Sequence, residues 1–235
     1  MTLGKLSVVA TPIGNLVDIS YRAIEVLKAV DYILCEDTRV SGNLLKHYQI
    51  KTPTISYHQH SNLKKTEQII NLLKNGKNLA LISDAGTPGI SDPGGQLLSS
   101  IREEFENKIK IDSIPGASAL TAALAIAGLG FDRFIFYGFL PHKKGRQKIL
   151  QSIIKSEYSA VIYESKHRIV KLLQELIALE KKDNIKKEIV IVRELTKLHE
   201  QIYLGELAVV LMELQSRPEN LKGEFVVLLK SVKVK

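Results

Sequence analysis

A chain of 235 residues is long enough for one large domain or two small ones, each with its own apolar core. Its net charge of +8 gathers at His142-Lys143-Lys144-Gly145-Arg146-Gln147-Lys148, at Lys181-Lys182, at Lys186-Lys187 and at Lys230, Lys233 and Lys235. This suits a polyanionic partner, RNA before membrane, although solvated lysine-rich faces carry the same charge. No long apolar run and no charged-then-apolar leader occurs, and Cys35 is the single cysteine. A membrane span, a secretory signal and an internal disulfide are therefore not expected, and a reducing, cytoplasmic compartment is.

The elements alternate from the start. Leu6-Ser7-Val8-Val9-Ala10 is a short β run ending in the loop Thr11-Pro12-Ile13-Gly14-Asn15-Leu16. A helix starts after Ser20, a good N-cap, with Ala23, Ile24, Leu27 and Val30 on one face. Tyr32-Ile33-Leu34-Cys35 is a second strand, closed by Glu36-Asp37-Thr38-Arg39. A short helix holding Leu44, Leu45 and Tyr48 precedes the strand Thr54-Ile55-Ser56-Tyr57. Residues 64–74 are amphipathic through Ile69, Ile70, Leu72 and Leu73, and Asn75-Gly76 stops them.

Residues 79–124 organise the rest. An apolar strand (79–82) meets a loop running from Ser83 to Gly95 with four glycines and two prolines, followed by a helix (96–105), a strand, a second loop (Pro115-Gly116-Ala117-Ser118-Ala119) and a helix (117–127). Glycine permits close backbone approach to a ligand and proline fixes the loop's direction. Loops between a strand and the next helix lie at the carboxyl edge of an open α/β sheet, where ligands bind. The first loop exceeds the usual two to six residues of such turns; the second has the length of an ordinary tight turn.

The pattern breaks at Gly128-Leu129-Gly130 and restarts with the strand Phe134-Ile135-Phe136-Tyr137 and the basic loop after it. A helix (149–154), the strand Ala160-Val161-Ile162-Tyr163, a helix (170–179) and the strand Glu188-Ile189-Val190-Ile191-Val192 follow. A strand (201–204), a helix (207–214) and a final strand (224–229) complete the chain. The expected fold class is α/β: two domains, 1–130 and 131–235, with mainly parallel or mixed sheets and helices on both faces.

Several motifs are set aside. Gly128-Leu129-Gly130 follows a helix and lacks the third glycine of a dinucleotide fingerprint, and no phosphate-binding G-x-x-x-x-G-K-[ST] occurs. Gly116-Ala117-Ser118 is an incomplete nucleophile elbow, with Leu120 in place of glycine. His58 and His60 lack the cysteine or acidic partners of a zinc site, and no metal is expected. Three mixed-charge clusters each end a strand: Glu36-Asp37-Thr38-Arg39, Glu164-Ser165-Lys166-His167-Arg168 and Arg193-Glu194-Leu195-Thr196-Lys197. Parallel strands would gather them at one edge, where carboxylates can accept from hydroxyls and cations can hold phosphates. Ion pairs that merely cap the sheet are the plainer alternative.

Those three clusters stand in order and spacing with Thr11-Pro12-Ile13-Gly14-Asn15-Leu16, the loop 83–94, Ile114-Pro115-Gly116-Ala117-Ser118-Ala119 and Gly138-Phe139-Leu140-Pro141. Together they resemble the small-subunit ribosomal RNA cytidine 2′-O-ribose methyltransferases of the tetrapyrrole (corrin/porphyrin) methylase superfamily, over nearly the whole chain. The family usually has proline at the position of Lys166 and alanine at that of Cys35, and longer members continue past the last strand. The resemblance implies S-adenosylmethionine folded in a cleft between two α/β domains, ribosomal RNA or the assembled small subunit as substrate, and a homodimer. Small-molecule tetrapyrrole methylation and a non-catalytic RNA-binding assembly factor are the rival functions.

By resemblance, Pro12, Asp84, Gly86, Thr87, Ile90, Ser91, Ser118 and Ala119 hold the cofactor's methionine and ribose parts, and Phe139, Leu140, Leu195, Gly223 and Glu224 face its adenine. For the chemistry, the strand-end clusters offer Glu194 and Glu164 as proton acceptors, Lys197 as an amine if its pKa is lowered, and Arg193 and Arg168 as phosphate clamps. Asp37 with Arg39 would orient the target base, and Lys143, Lys144 and Arg146 would meet RNA. Glu194 can instead serve only as the partner of a neighbouring cation that keeps its loop folded.

Overall fold

The computed structural model describes residues 2–58, 63–92, 94–128, 130 and 132–231; His60, Leu129, Lys233 and Lys235, named above, lie outside the described residues. The chain forms two compact units, Met1–Ser118 and Ala119–Lys235. Among the described residues no helix is long and apolar enough to cross a membrane.

The first unit runs β1 (Leu6–Val9), α1 (Tyr21–Ala29), β2 (Tyr32–Cys35), α2 (Thr38–His47), β3 (Thr54–Ser56), α3 (Leu63–Lys74), β4 (Leu79–Leu81), α4 (Gly94–Glu104) and β5 (Ile111–Ile114). Its sheet has the order β3-β2-β4-β1-β5, and every pairing is parallel. Strands buried on both sides need apolar residues in both alternating registers. Val9, Ile33, Cys35, Ala80 and Ile82 pack with Ala23 and Leu27 of α1 and Leu45 of α2. Leu6, Leu34, Leu79 and Leu81 pack on the other face with Ile69 and Leu73 of α3 and Leu97 and Ile101 of α4. Ser20 caps α1 by accepting from the Ala23 N–H at 3.2 Å. Helix α2 starts at Thr38, earlier than the sequence pattern suggested, because the Asp37 side chain caps it through the Arg39 N–H.

The second unit runs α5 (Ala119–Ile126), β6 (Phe134–Phe139), α6 (Arg146–Lys155), β7 (Ser159–Ser165), α7 (Ile169–Asp183), β8 (Lys187–Arg193), β9 (Gln201–Glu206), α8 (Leu207–Gln215) and β10 (Glu224–Ser231). Its sheet is mixed, in the order β6-β7-β10-β8-β9: β6 and β7 are parallel, and β10 inserts antiparallel to both β7 and β8. The run Phe225-Val226-Val227-Leu228-Leu229 suits that central place, since Phe225, Val227 and Leu229 join the core under α6, α7 and α8 while Val226 and Leu228 face the opposite side.

The first unit ends twelve residues before the expected boundary at 130/131. Helix α5 lies with the second unit because Ala123 and Ala127, with Leu120 and Leu124 against them, pack on Val161, Val190, Val192, Val226 and Leu228. In sequence, α5 reads as the helix after the second glycine loop; its alanine-rich surface packs on the next sheet instead.

Candidate functional site

In the first unit, β1 and β4 are neighbours whose connections leave to opposite faces: α1 packs on one side and α4 on the other. This is the topological switch point of the sheet, where the carboxyl edge opens a crevice. Four loops meet along this edge. The Thr11 N–H donates to the Gly86 carbonyl (2.9 Å) and the Gly86 N–H to the Thr11 carbonyl (3.1 Å). Thr11 Oγ1 donates to the Ser83 carbonyl (3.1 Å), Thr87 Oγ1 to the Ala117 carbonyl (3.1 Å), and the Asp37 N–H to Asp84 Oδ1 (3.1 Å). Gly86 has φ +81°, and a Cβ there would lie 3.2 Å from Ile13 Cγ2 and 3.7 Å from the Ala117 carbonyl. The first, third and fourth loops thus close around one glycine.

Of the residues expected to hold the cofactor in this unit, Pro12 is buried, Thr87 and Ser118 are half-buried, and Asp84, Ile90 and Ser91 are exposed. Ser91 sits at φ +63° without being glycine. Asp37 is ion-paired with Arg39 (2.7 Å), whose guanidinium holds its carboxyl down to about 2, while the Arg39 side chain projects into solvent. Two residues at this edge were missed. Asp92 accepts from the Gly89 and Gly94 N–H groups and so shapes the loop; aspartate two residues before a helix start was the available signal. Glu36 is half-buried, and its carboxyl is pushed up by burial and by the nearby Asp84 and Asp92 charges.

In the second unit, β7 and β8 are both antiparallel to β10, so their carboxyl ends share one edge, with Phe225 paired to Glu164 on one side and Arg193 on the other. Two of the three charged clusters therefore do gather. The third belongs to the first unit, at the end of β2.

Several roles expected of individual side chains need correction here. Arg193 is buried: its Nε donates to the Lys222 carbonyl (2.7 Å), Nη1 to the His199 carbonyl and Gln201 Oε1, and Nη2 to the Glu219 carbonyl (2.7 Å). Donors committed to these acceptors staple three chain segments and do not serve as a phosphate clamp. Arg146 is also buried, against Glu175 (2.8 Å) and near Glu164 (3.9 Å), and is no surface contact for RNA. Arg168 donates to Glu164 Oε1 (2.7 Å) and the Leu140 carbonyl (2.8 Å), and Glu164 itself is sealed from solvent. A carboxylate so enclosed has no access to a ribose hydroxyl. The Leu140 side chain lies in the core under α6 and α7, not in an open slot.

Glu194 and Lys197 form a compact cluster with Glu224. Glu194 Oε1 accepts from Lys197 Nζ (3.0 Å) and from the Glu224 N–H (2.9 Å), and Lys197 Nζ also donates to Glu224 Oε2 (2.8 Å). Burial pushes the Glu194 carboxyl up, but the Glu224 N–H and the Lys197 ammonium outweigh it and hold the group below the ordinary range. For Lys197, burial pulls down while Glu224 and Glu194 pull harder the other way, so its pKa is raised. Lys197 is thus an ammonium at neutral pH and not the neutral amine base that a lowered pKa would have made. Glu194 adopts φ +51°, and its carboxyl fills the space where a Gly223 Cβ would be, 2.4 Å from that position. Phe139 is exposed and stacks edge-on to Tyr163, Leu195 is half-buried, and Ala119 begins α5.

The profile of a family described as Tetrapyrrole (Corrin/Porphyrin) Methylases matches residues 5–210. The chain is 45% identical over 224 residues to the Ribosomal RNA small subunit methyltransferase I of Synechocystis sp., spanning 95% of this chain and 77% of that protein. It is 42% identical over 206 residues to the protein of that name in Thermotoga maritima, spanning 88% of this chain and 90% of the relative. Among solved structures, a diphthine synthase is similar with a TM-score of 0.70 at 15% identity, over 97% of this chain and 90% of the other. The methyltransferase CobJ gives 0.68 at 18%, over 97% and 95%. A uroporphyrin-III C-methyl transferase from Thermus thermophilus complexed with S-adenyl homocysteine gives 0.62 at 17%, over 97% of each chain.

Proposed function

Because the chain belongs to the tetrapyrrole (corrin/porphyrin) methylases and is an S-adenosylmethionine-dependent methyltransferase, we propose that it methylates the ribose 2′-hydroxyl of a cytidine in small-subunit ribosomal RNA, as a cytoplasmic homodimer. The observation that carries this reading is the 45% identity, over 95% of the chain, to a relative named for the small ribosomal subunit. The exposed Lys143 and Lys144 beside an excess of positive charge agree with it.

The first unit's loops suit a folded nucleoside-sulfonium. Gly86, with no side chain, lets the loops after β1, β4 and β5 pack closely together, and Asp84 and Ser91 offer exposed polar groups beside the apolar Ile90. In the proposed assignment these residues, with Pro12, Thr87, Ser118 and Ala119, hold the methionine and ribose parts, and Phe139, Leu195 and the Gly223–Glu224 backbone meet the adenine. When bound, S-adenosylmethionine supplies a methyl group activated by a sulfonium. The chain's task is then alignment of the hydroxyl oxygen with methyl and sulfur, which in favourable cases contributes about 7–11 kcal/mol. Glu194 is the proposed proton acceptor, through Oε2, which accepts no hydrogen bond among those of the described residues; a base adds ~10²–10⁴-fold when its pKa lies near the working pH, and the lowered pKa of Glu194 puts its share toward the small end. Asp37 and Arg39 are proposed to orient the base.

The test is transfer of tritiated methyl from S-adenosylmethionine to isolated small subunits lacking the modification, followed by nucleoside mass spectrometry. Labelled 2′-O-methylcytidine is expected. Label appearing only in a carboxylated tetrapyrrole would turn the reading to small-molecule methylation, and absence of any transfer to a binding-only factor.

A further inference from the structure

We propose that two neighbouring loops of the second unit form one preorganised surface for the RNA phosphate backbone: Lys143 and Lys144 after β6, Lys148 in the first turn of α6, and Lys166 and His167 after β7. The proposal rests on the ribosomal RNA reading and adds to it the loop after β7.

Topology makes these residues neighbours. β6 and β7 are adjacent and parallel, with Phe139 opposite Tyr163, so the chain leaves both strands at the same edge. Adjacent strands stand about 4.8 Å apart. All five side chains are exposed. None of the four lysines has an ion pair among the described residues.

What lies beneath is electrically closed. Glu164 Oε1 accepts from Arg168 Nε (2.7 Å) and the Ser165 N–H (2.8 Å), and Arg146 Nε and Nη2 both reach Glu175 Oε2 (2.8 Å). Arg146 Nη1 lies 3.9 Å from Glu164 Oε2, which closes the chain of contacts. Two arginines and two glutamates sum to zero, so nothing in this network offsets the lysines above it. The same arginines hold the loop from below: Arg168 donates to the Leu140 carbonyl (2.8 Å) and Arg146 to the Pro141 carbonyl (3.4 Å). A cationic loop whose base is already fixed spends little ordering entropy on binding. Residues 142–145 and 165–167 contain no large apolar side chain to insert into a bilayer, which favours a nucleic-acid backbone over a lipid surface.

The experiment measures affinity for small subunits against salt, for the wild type, Lys166→Ala/His167→Ala and Lys143→Ala/Lys144→Ala, with calorimetric S-adenosylmethionine affinity as control. The slope of log affinity against log salt is expected to fall in magnitude by about 0.7–0.9 for each lysine removed, with KM for the subunit raised and cofactor affinity unchanged. Unchanged melting curves would show that the variants fold. A wild-type slope in Lys166→Ala/His167→Ala would overturn the shared surface. So would equal, lysine-dependent binding of the wild type to phosphatidylserine vesicles. Failure of the wild type to methylate or bind subunits would instead sink the ribosomal RNA reading, and the proposal with it.

Discussion

Glu194 shows how much one backbone position can decide. It leaves β8 in the left-handed region, donates its N–H to the Glu224 carbonyl at 2.9 Å and places its carboxyl over Gly223. Gly223 has φ +97°, so Gly223→Ala is strained twice, by its own backbone and by a Cβ contact with Glu194. It is expected to lower the melting temperature and slow methyl transfer together, measured by calorimetry and single-turnover assay. Glu194→Gln keeps the size and the backbone contact. It is expected to bind cofactor nearly normally and slow single-turnover transfer at least tenfold; a wild-type rate in this folded variant would leave Glu194 a purely structural group. The pair with Lys197 also sets a pH window. Glu194, lowered when folded, contributes stability fully above its unfolded pKa of about 4.3, and this is lost as pH falls through its folded value. Lys197, raised when folded, contributes fully below about 10.4, and this is lost as pH rises through its folded value. A double-mutant cycle on the two residues should therefore give a constant coupling between about pH 5 and pH 10 and a smaller one outside it. The sequence pointed to this cluster, but the direction of the lysine's shift depends on Glu224, twenty-seven residues away, and only the fold brings it there.

At the scale of elements, local signals were legible wherever one segment contains its own explanation. Ser20 as the cap of α1 is such a case. Ser20→Ala should cost about 1 kcal/mol, with a range of about 0.5–2, in urea unfolding. The glycine loop after β4 is another: its length and composition announced a special turn. That it bonds to the loop after β1 follows from the order β4-β1 in the sheet, which no local pattern contains. Gly86→Val should abolish S-adenosylmethionine binding in calorimetry, since the added atoms meet Ile13 at a backbone angle valine rarely adopts. Unchanged affinity in that variant would remove the loop from the cofactor site. Helix α5 marks the opposite case. Its sequence is apolar nearly all round, so periodicity could not say which sheet it would cover, and it belongs to the second unit.

For the molecule as a whole, burial gives a reporter of opening. Cys35 is fully buried at the end of β2, and its burial pushes the thiol's pKa up. It should react with thiol reagents only through opening of the first unit, and S-adenosylmethionine at 100 times its dissociation constant should slow that reaction about 100-fold if the opening dissolves the loops proposed to hold the cofactor. A labelling rate indifferent to cofactor would show that Cys35 is exposed by a motion that leaves those loops intact. The order of strands, helices and loops, the α/β class and the methylase family were all determined by sequence, because period, caps, glycines and motif spacing are properties of neighbouring residues. The reverse of β10 between β7 and β8, the placing of α5, and the division of arginines between scaffold and surface were decided only in three dimensions. An arginine's role depends on which carbonyls and carboxylates surround it: Arg146 and Arg193 read as surface cations in a basic chain, and packing made them the buried ties of their unit. Lys143, Lys144 and Lys166, identical in formal charge, stay exposed, with no carboxylate paired to them among the described residues, and that is a fact of tertiary structure alone.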